Sequence, residues 1–292
     1  MKTKKENIEF LSNNSSNYID EISKKTAWDE LKALKGIEPI ITQLEKIVTV
    51  LHKDKENKTQ NKKFNKMRLH FVFKGSPGTG KTTVAKLFAK ILQEEGVLSI
   101  GHFVDSNVYD LIEIGNTHYK SRKKCEEALG GVLFIDEAFG FIAGDINSIE
   151  MGKAFEVLIQ FMKKEDFMLF IAGYENEIDN FFKGNEGLNR LFVKNLYFKF
   201  EEYPLNILYE ILDLCIERSD KFYTERAKEI IKIIIEKRFN SKTVGWANAR
   251  EVENLISEIE LENAIADTID VSNIPHTLIE TIAKNRFFNN IY

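Results

Sequence analysis

From residue 69 onward, short apolar runs alternate with segments whose apolar positions recur every three or four residues. The runs "LHFVF", "GHFVD", "GVLFID", "FMLFIAG" and "NLYFKF" are almost continuously apolar, as parallel strands covered on both faces are. Between them, segments such as "KTTVAKLFAKILQEE" place Val84, Leu87, Phe88, Ile91 and Leu92 on one helical stripe. This alternation predicts an α/β fold, a three-layer sandwich around a parallel sheet. From "YPLNILYEILDLC" the spacing is helical alone to about residue 287, which predicts a small all-helical domain over residues 204–292. Ahead of the first strand, "TAWDELKALKG" and "IEPIITQLEKIVTVL" read as two helical pieces with Gly36 and Pro39 at the turn. Residues 1–26 read as a polar arm, and the large domain then covers residues 27–203. Within it "HKDKENKTQNKKFNK", residues 52–66, reads as a basic loop, either solvated or a docking site for an acidic partner.

Composition narrows the function classes. The chain of 292 residues is 43% hydrophobic and 29% charged, ordinary for a globular protein. A net charge of -4 gives no basic footprint for nucleic acid. No apolar stretch is long enough for a signal peptide core or a membrane span, so a cytoplasmic protein is expected. Cys125 and Cys215 lie far apart without metal-ligand spacing, which fits two buried thiols in a reducing compartment.

Candidate chemistry sits at two strand ends. "GSPGTGKT", Gly75 to Thr82, has the spacing G-x-x-x-x-G-K-[ST] between an expected strand and an expected helix. Such a loop cradles phosphates with its N–H groups, assisted by the helix N-terminus. Lys81 is the group expected to reach the β- and γ-phosphates, and Thr82 the one expected to bind Mg2+. Ser76, Pro77, Gly78, Thr79, Gly80 and Thr83 complete the expected nucleotide-binding loop. "GVLFIDEA" ends in Asp136 and Glu137 at the carboxyl end of a buried run, where open α/β sheets bind ligands. Asp136 is expected on the Mg2+, and Glu137 on the attacking water.

With these motifs the chain resembles AAA+ ATPases, and more narrowly the CbbX/CfxQ family, which contains the red-type Rubisco activases and stage V sporulation protein K. The resemblance rests on "LKALKGIEPIITQLEKIV", "HFVFKGSPGTGKTTVAKLFAKIL", "ALGGVLFIDEAF", "LFIAGYENEIDNFFKGNEGLNRLF" and "WANAREVENLI". It implies a five-stranded sheet of order 5-1-4-3-2, a helical lid, and a ring, hexameric in the family, with ATP and Mg2+ at each subunit boundary. It also implies that Gly36 and Ile37 lie beside the adenine, that Arg250 reports the γ-phosphate from the lid, and that Arg190 serves as an arginine finger toward a neighbour.

The chain departs from the family pattern in two places. Arg190 follows Gly187-Leu188 after one residue instead of two, so Leu191 stands where the finger is expected. In "SNVYDLIEIGNTHYK" the segment that carries the family's substrate-gripping aromatic is shortened, with Glu113 in the tyrosine's place and Tyr109 or Tyr119 as candidate substitutes, although Tyr119 reads equally well as a residue of the following helix. Three function classes follow. The first is a ring ATPase that remodels a protein client, similar to red-type Rubisco activase. The second is an ATP-binding switch, or one subunit of a mixed assembly with weak hydrolysis. The third, a nucleic-acid motor, is opposed by the acidic balance of the chain.

Overall fold

A computed structural model describes residues 25–59, 69–141, 148–164, 167–184, 186–241 and 246–283. The polar arm lies outside these residues except for its last two. Thr26 opens helix α1 (Ala27–Lys32): its hydroxyl accepts the Asp29 N–H at 3.1 Å while the Asp29 carboxylate accepts the Thr26 N–H at 2.9 Å, a reciprocal cap. Helix α2 (Glu38–Thr59) follows the turn at Gly36. It corrects the reading of residues 52–66 as a loop, because residues 52–59 continue the helix; residues 60–66 lie outside the described residues. Leu51 is buried, while His52, Lys53 and Glu56 beyond it are exposed. Apolar periodicity stops there, whereas Lys and Glu are good helix formers that continue the helix without it.

The sheet is wholly parallel. Its strands β1 (Phe71–Gly75), β2 (Phe103–Ser106), β3 (Val132–Ile135), β4 (Met168–Gly173) and β5 (Tyr197–Phe200) lie in the order β2-β3-β4-β1-β5, the expected order read from the other edge. Alternation along each strand sends residues to opposite faces. Phe71, Phe73, Phe134, Phe170, Phe198 and Phe200 all face one core together with Phe88 of helix α3 (Lys81–Glu94), and Phe73 has four ring neighbours at 5.3 to 6.4 Å. Val72, Leu133, Ile135, Leu169 and Ile171 face the other core. That second face is covered by helices α4 (Val108–Leu111), α5 (Thr117–Glu127), α6 (Ser148–Met162), α7 (Glu175–Gly184) and α8 (Glu186–Asn189).

The lid consists of α9 (Leu205–Arg218), α10 (Glu225–Ser241), α11 (Ala249–Glu262) and α12 (His276–Ala283). It is not all helical: strands β6 (Phe222–Tyr223) and β7 (Thr268–Ile269) form a parallel pair, correcting the reading of a lid without strands. Two residues are too few for a period-two pattern to show in the sequence. Among the described residues no helix is long and apolar enough to cross a membrane.

Candidate functional site

The carboxyl ends of β1, β3 and β4 and the start of α11 enclose an open cleft. The phosphate loop supplies Pro77, Gly78, Gly80, Lys81, Thr82 and Thr83; the chain leaving β3 supplies Asp136 and Glu137; the lid supplies Ala249, Arg250 and Glu253. Residues more than a hundred positions apart in the sequence thus meet because parallel strands release their chains at one edge of the sheet.

The local geometry is ordered by hydrogen bonds. Thr82 Oγ1 donates to Asp136 Oδ2 at 3.1 Å, which puts a hydroxyl and a carboxylate side by side. Lys81 Nζ donates to the carbonyls of Gly75 and Ser76 at 2.8 and 2.9 Å. Burial pushes the Lys81 ammonium below the ordinary lysine value, Asp136 pulls it back up, and Arg250 presses it down again. Glu137 is held at φ 51°, unusual for a residue with a side chain. Its N–H donates to Asp136 Oδ1 at 2.9 Å. A donor set of one hydroxyl and one carboxylate suits Mg2+, which takes few protein ligands and keeps water.

Several residues singled out from the sequence stand apart from the cleft wall. Thr79 belongs to the loop but is fully buried, its hydroxyl donating to the Ser76 carbonyl at 2.8 Å. The Ser76 hydroxyl is 3.2 Å from Glu202. Gly36, at φ +73°, abuts the start of the lid: a Cβ there would stand 2.8 Å from Ile207 Cγ2 and 2.9 Å from Tyr203 Cδ1. Ile37 beside it is buried in the core. Arg190 lies outside the cleft on a solvent-facing turn, its side chain 80% exposed and 3.6 Å from Glu186 one turn earlier. Leu188 and Leu191 take the inward positions of that turn.

Two residues not singled out from the sequence lie at the same edge. Tyr174 lines the cleft directly after β4; burial, then Glu177 and Glu137, push its hydroxyl above the usual tyrosine value. Glu177 has one carboxylate oxygen buried without a hydrogen-bond partner. Burial raises its pKa, the Tyr174 N–H opposes that, and Glu137 adds to it. The available signal was positional: both follow the carboxyl end of a strand neighbouring the phosphate loop's own.

The shortened segment between α4 and α5 is a compact turn. Thr117 Oγ1 donates to the Glu113 carbonyl at 2.7 Å, and Asn116 Nδ2 donates to the Glu113 carboxylate at 3.0 Å. Ile114 is left at the tip, 86% exposed, with Tyr109 and Tyr119 also exposed.

Comparison with known proteins agrees with this geometry. Residues 71–197 match the model of the ATPase family associated with various cellular activities (AAA), and residues 206–272 match the AAA lid domain. Stage V sporulation protein K of Bacillus subtilis is 34% identical over 78% of this chain and 72% of its own. Protein CbxX, chromosomal, of Cupriavidus necator is 30% identical over 89% of this chain and 83% of its own. The chloroplastic ribulose bisphosphate carboxylase/oxygenase activase of Cyanidioschyzon merolae is 31% identical over 80% of each chain. Among solved structures, the FIGL-1 AAA domain in complex with ADP aligns with a TM-score of 0.54 at 17% identity, covering 85% of this chain and 82% of that one. A Thermotoga maritima RuvB mutant aligns with a TM-score of 0.53 at 17% identity over 86% and 72%; at such identity both establish the fold alone. With a phosphate loop, a strand-end carboxylate pair and a lid arginine meeting on an AAA sheet, the chain belongs to the AAA ATPase family, in the group of the CbxX and CfxQ proteins and stage V sporulation protein K.

Proposed function

We propose that the chain binds and hydrolyses ATP at the boundaries between copies of itself in a ring, hexameric by family resemblance, and uses the cycle to remodel a protein client. The observation that carries this reading is the convergence of Lys81, Thr82, Asp136, Glu137 and Arg250 on one cleft. Lys81 neutralises the β- and γ-phosphates, and the N–H groups at the start of α3 hold them. Thr82 and Asp136 hold Mg2+, which supplies charge neutralisation between the phosphates. Glu137 orients the attacking water and accepts its proton, and Arg250 contacts the γ-phosphate from the lid. A chain used only to bind nucleotide has little need of Glu137.

Arg190 acts on the neighbouring copy in this reading. Its exposure and its place outside its own cleft support that, and its ion pair with Glu186 is a solvent-facing contact of small energy. Fingers of this kind contribute about 10³ to 10⁵ in rate. The test is ATPase rate per subunit against protein concentration, for wild type, Arg190→Ala and Glu137→Gln. We expect the wild-type rate to climb with assembly, Arg190→Ala to assemble and remain slow, and Glu137→Gln to bind ATP without hydrolysing it. Equal, concentration-independent rates for wild type and Arg190→Ala would sink the ring mechanism.

A second reading, an ATP-binding switch or one subunit of a mixed assembly, is favoured by the α4–α5 turn. There Glu113 is tied to Asn116, and a single aliphatic side chain, Ile114, occupies the tip. Such a turn offers a threaded polypeptide less purchase than a large aromatic does.

A further inference from the structure

Asn248 combines four features found together at no other described residue. It is completely buried. Its backbone sits at φ 48° and ψ -120°, a conformation that residues other than glycine adopt only under strain, commonly of order 1–3 kcal/mol. Both ends of its side chain are bonded: Oδ1 accepts the Tyr203 N–H at 3.1 Å, and Nδ2 donates to the Pro77 carbonyl at 3.0 Å. The amide orientation is fixed by those partners, since a flip would set an NH2 against an N–H and an oxygen against an oxygen. Finally, it stands two residues before Arg250, at the N-terminus of α11.

The bonds on either side extend the pattern. Ala249 N–H donates to the Gly78 carbonyl at 3.1 Å, and the Tyr203 hydroxyl donates to the Thr79 carbonyl at 2.8 Å. Three successive carbonyls of the phosphate loop, those of Pro77, Gly78 and Thr79, therefore accept a bond from the lid or from the residue leading into it. The loop's N–H groups remain for phosphate. In the proposed function, nucleotide and lid bind opposite ends of the same peptide groups, so that a rotation of those peptides that suits one is felt by the other.

We propose that Asn248 is a positioning residue: a latch that fixes the start of α11 against the phosphate loop in the orientation that carries Arg250 into the cleft, so that the loop's backbone sets the lid. The inference rests on the reading of Arg250 as the γ-phosphate contact. The strained backbone is the consequence of holding three attachments, to Tyr203, Pro77 and Gly78, within two consecutive residues. A role in the turn alone would be filled better by glycine.

That contrast supplies the test. Asn248→Gly relieves the strain and removes only the latch; Asn248→Asp keeps the size and the acceptor but turns an oxygen toward the Pro77 carbonyl. ATPase rates are measured for both, for Arg250→Ala and for the Asn248→Gly/Arg250→Ala double variant, with hydrogen exchange at the Ala249 amide as a readout independent of hydrolysis. Asn248→Gly is expected to remain folded, to lose about tenfold in rate, to exchange faster at Ala249, and, in the double variant, to be no slower than Arg250→Ala alone. Should Asn248→Gly lose its lid fold, Asn248→Asp carries the same expectations. Wild-type rate and unchanged exchange in the variants overturn the latch. Full additivity of the two substitutions also overturns it, because Asn248 would then act independently of Arg250. A wild-type rate in Arg250→Ala alone overturns the reading of Arg250, while the Ala249 exchange still decides the latch.

Discussion

At Gly78 the phosphate loop packs tightly against the chain leading into α11. At φ +67°, a Cβ added there would stand 1.7 Å from the Ala247 carbonyl oxygen and 2.7 Å from its carbon, both backbone atoms. Neither can move without moving the start of α11. Gly78→Ala is therefore expected to displace the lid and to weaken nucleotide binding about tenfold or more by loss of the Ala249 and Asn248 bonds; titration with a fluorescent ATP analogue checks it, and wild-type affinity would contradict it. The glycine was legible as part of a motif, but its contact with Ala247 was not, since the two are joined only through the fold. Arg190 poses the complementary case. The one-residue offset after Gly187-Leu188 was plain in the sequence, yet which of Arg190 and Leu191 faces outward depends on the burial of Leu188 and Leu191 together. That turn sends Arg190 to solvent.

At the scale of elements, every strand of the main sheet was readable because each carries an apolar run, interrupted only by single polar positions such as Lys74 in β1 and Lys199 in β5 or ending in polar residues as β2 does at Asp105 and Ser106, and helix α3 because its stripe is regular. What escaped were elements whose formation leaves no periodicity: the polar end of α2, and β6 and β7 with two residues each. The six phenylalanines on one face of the sheet, with Phe88 upon them, were visible as residues but not as a layer. Phe73 stands among four of them directly ahead of the phosphate loop. Phe73→Ala is expected to reduce the unfolding free energy by about 3–5 kcal/mol, measured by urea denaturation. A loss below about 1 kcal/mol would mean that the layer repacks around the gap.

Across the whole molecule, several buried groups share one response to alkali. Burial pushes the Cys125 thiol up to about 12 from 9.0, and the hydroxyls of Tyr197 and Tyr203 up to about 12 from 10.0. Each is raised in the folded chain, so above its unfolded value the unfolded chain gives up protons first. Their stabilisation is complete below about pH 9 and is lost as the pH rises toward about 12. The urea midpoint is expected to fall between pH 8 and pH 10.5, and Cys125→Ala to fall less steeply; a flat wild-type profile would contradict the burial of these groups. Tyr203 links this response to the site, because its hydroxyl is a donor to the loop carbonyl of Thr79. The β6–β7 pair has a different reach. It joins Phe222–Tyr223, near the start of the lid, to Thr268–Ile269 near its end, and the Lys221 ammonium adds bonds to the carbonyls of Asn263 and Ala266 at 2.9 and 2.7 Å. During synthesis the sheet has all its strands once Phe200 has emerged, but the lid lacks its closing strand until Ile269 follows. At about 5–20 residues per second, a ribosome spends several seconds in that interval, with the phosphate loop complete and its lid still open.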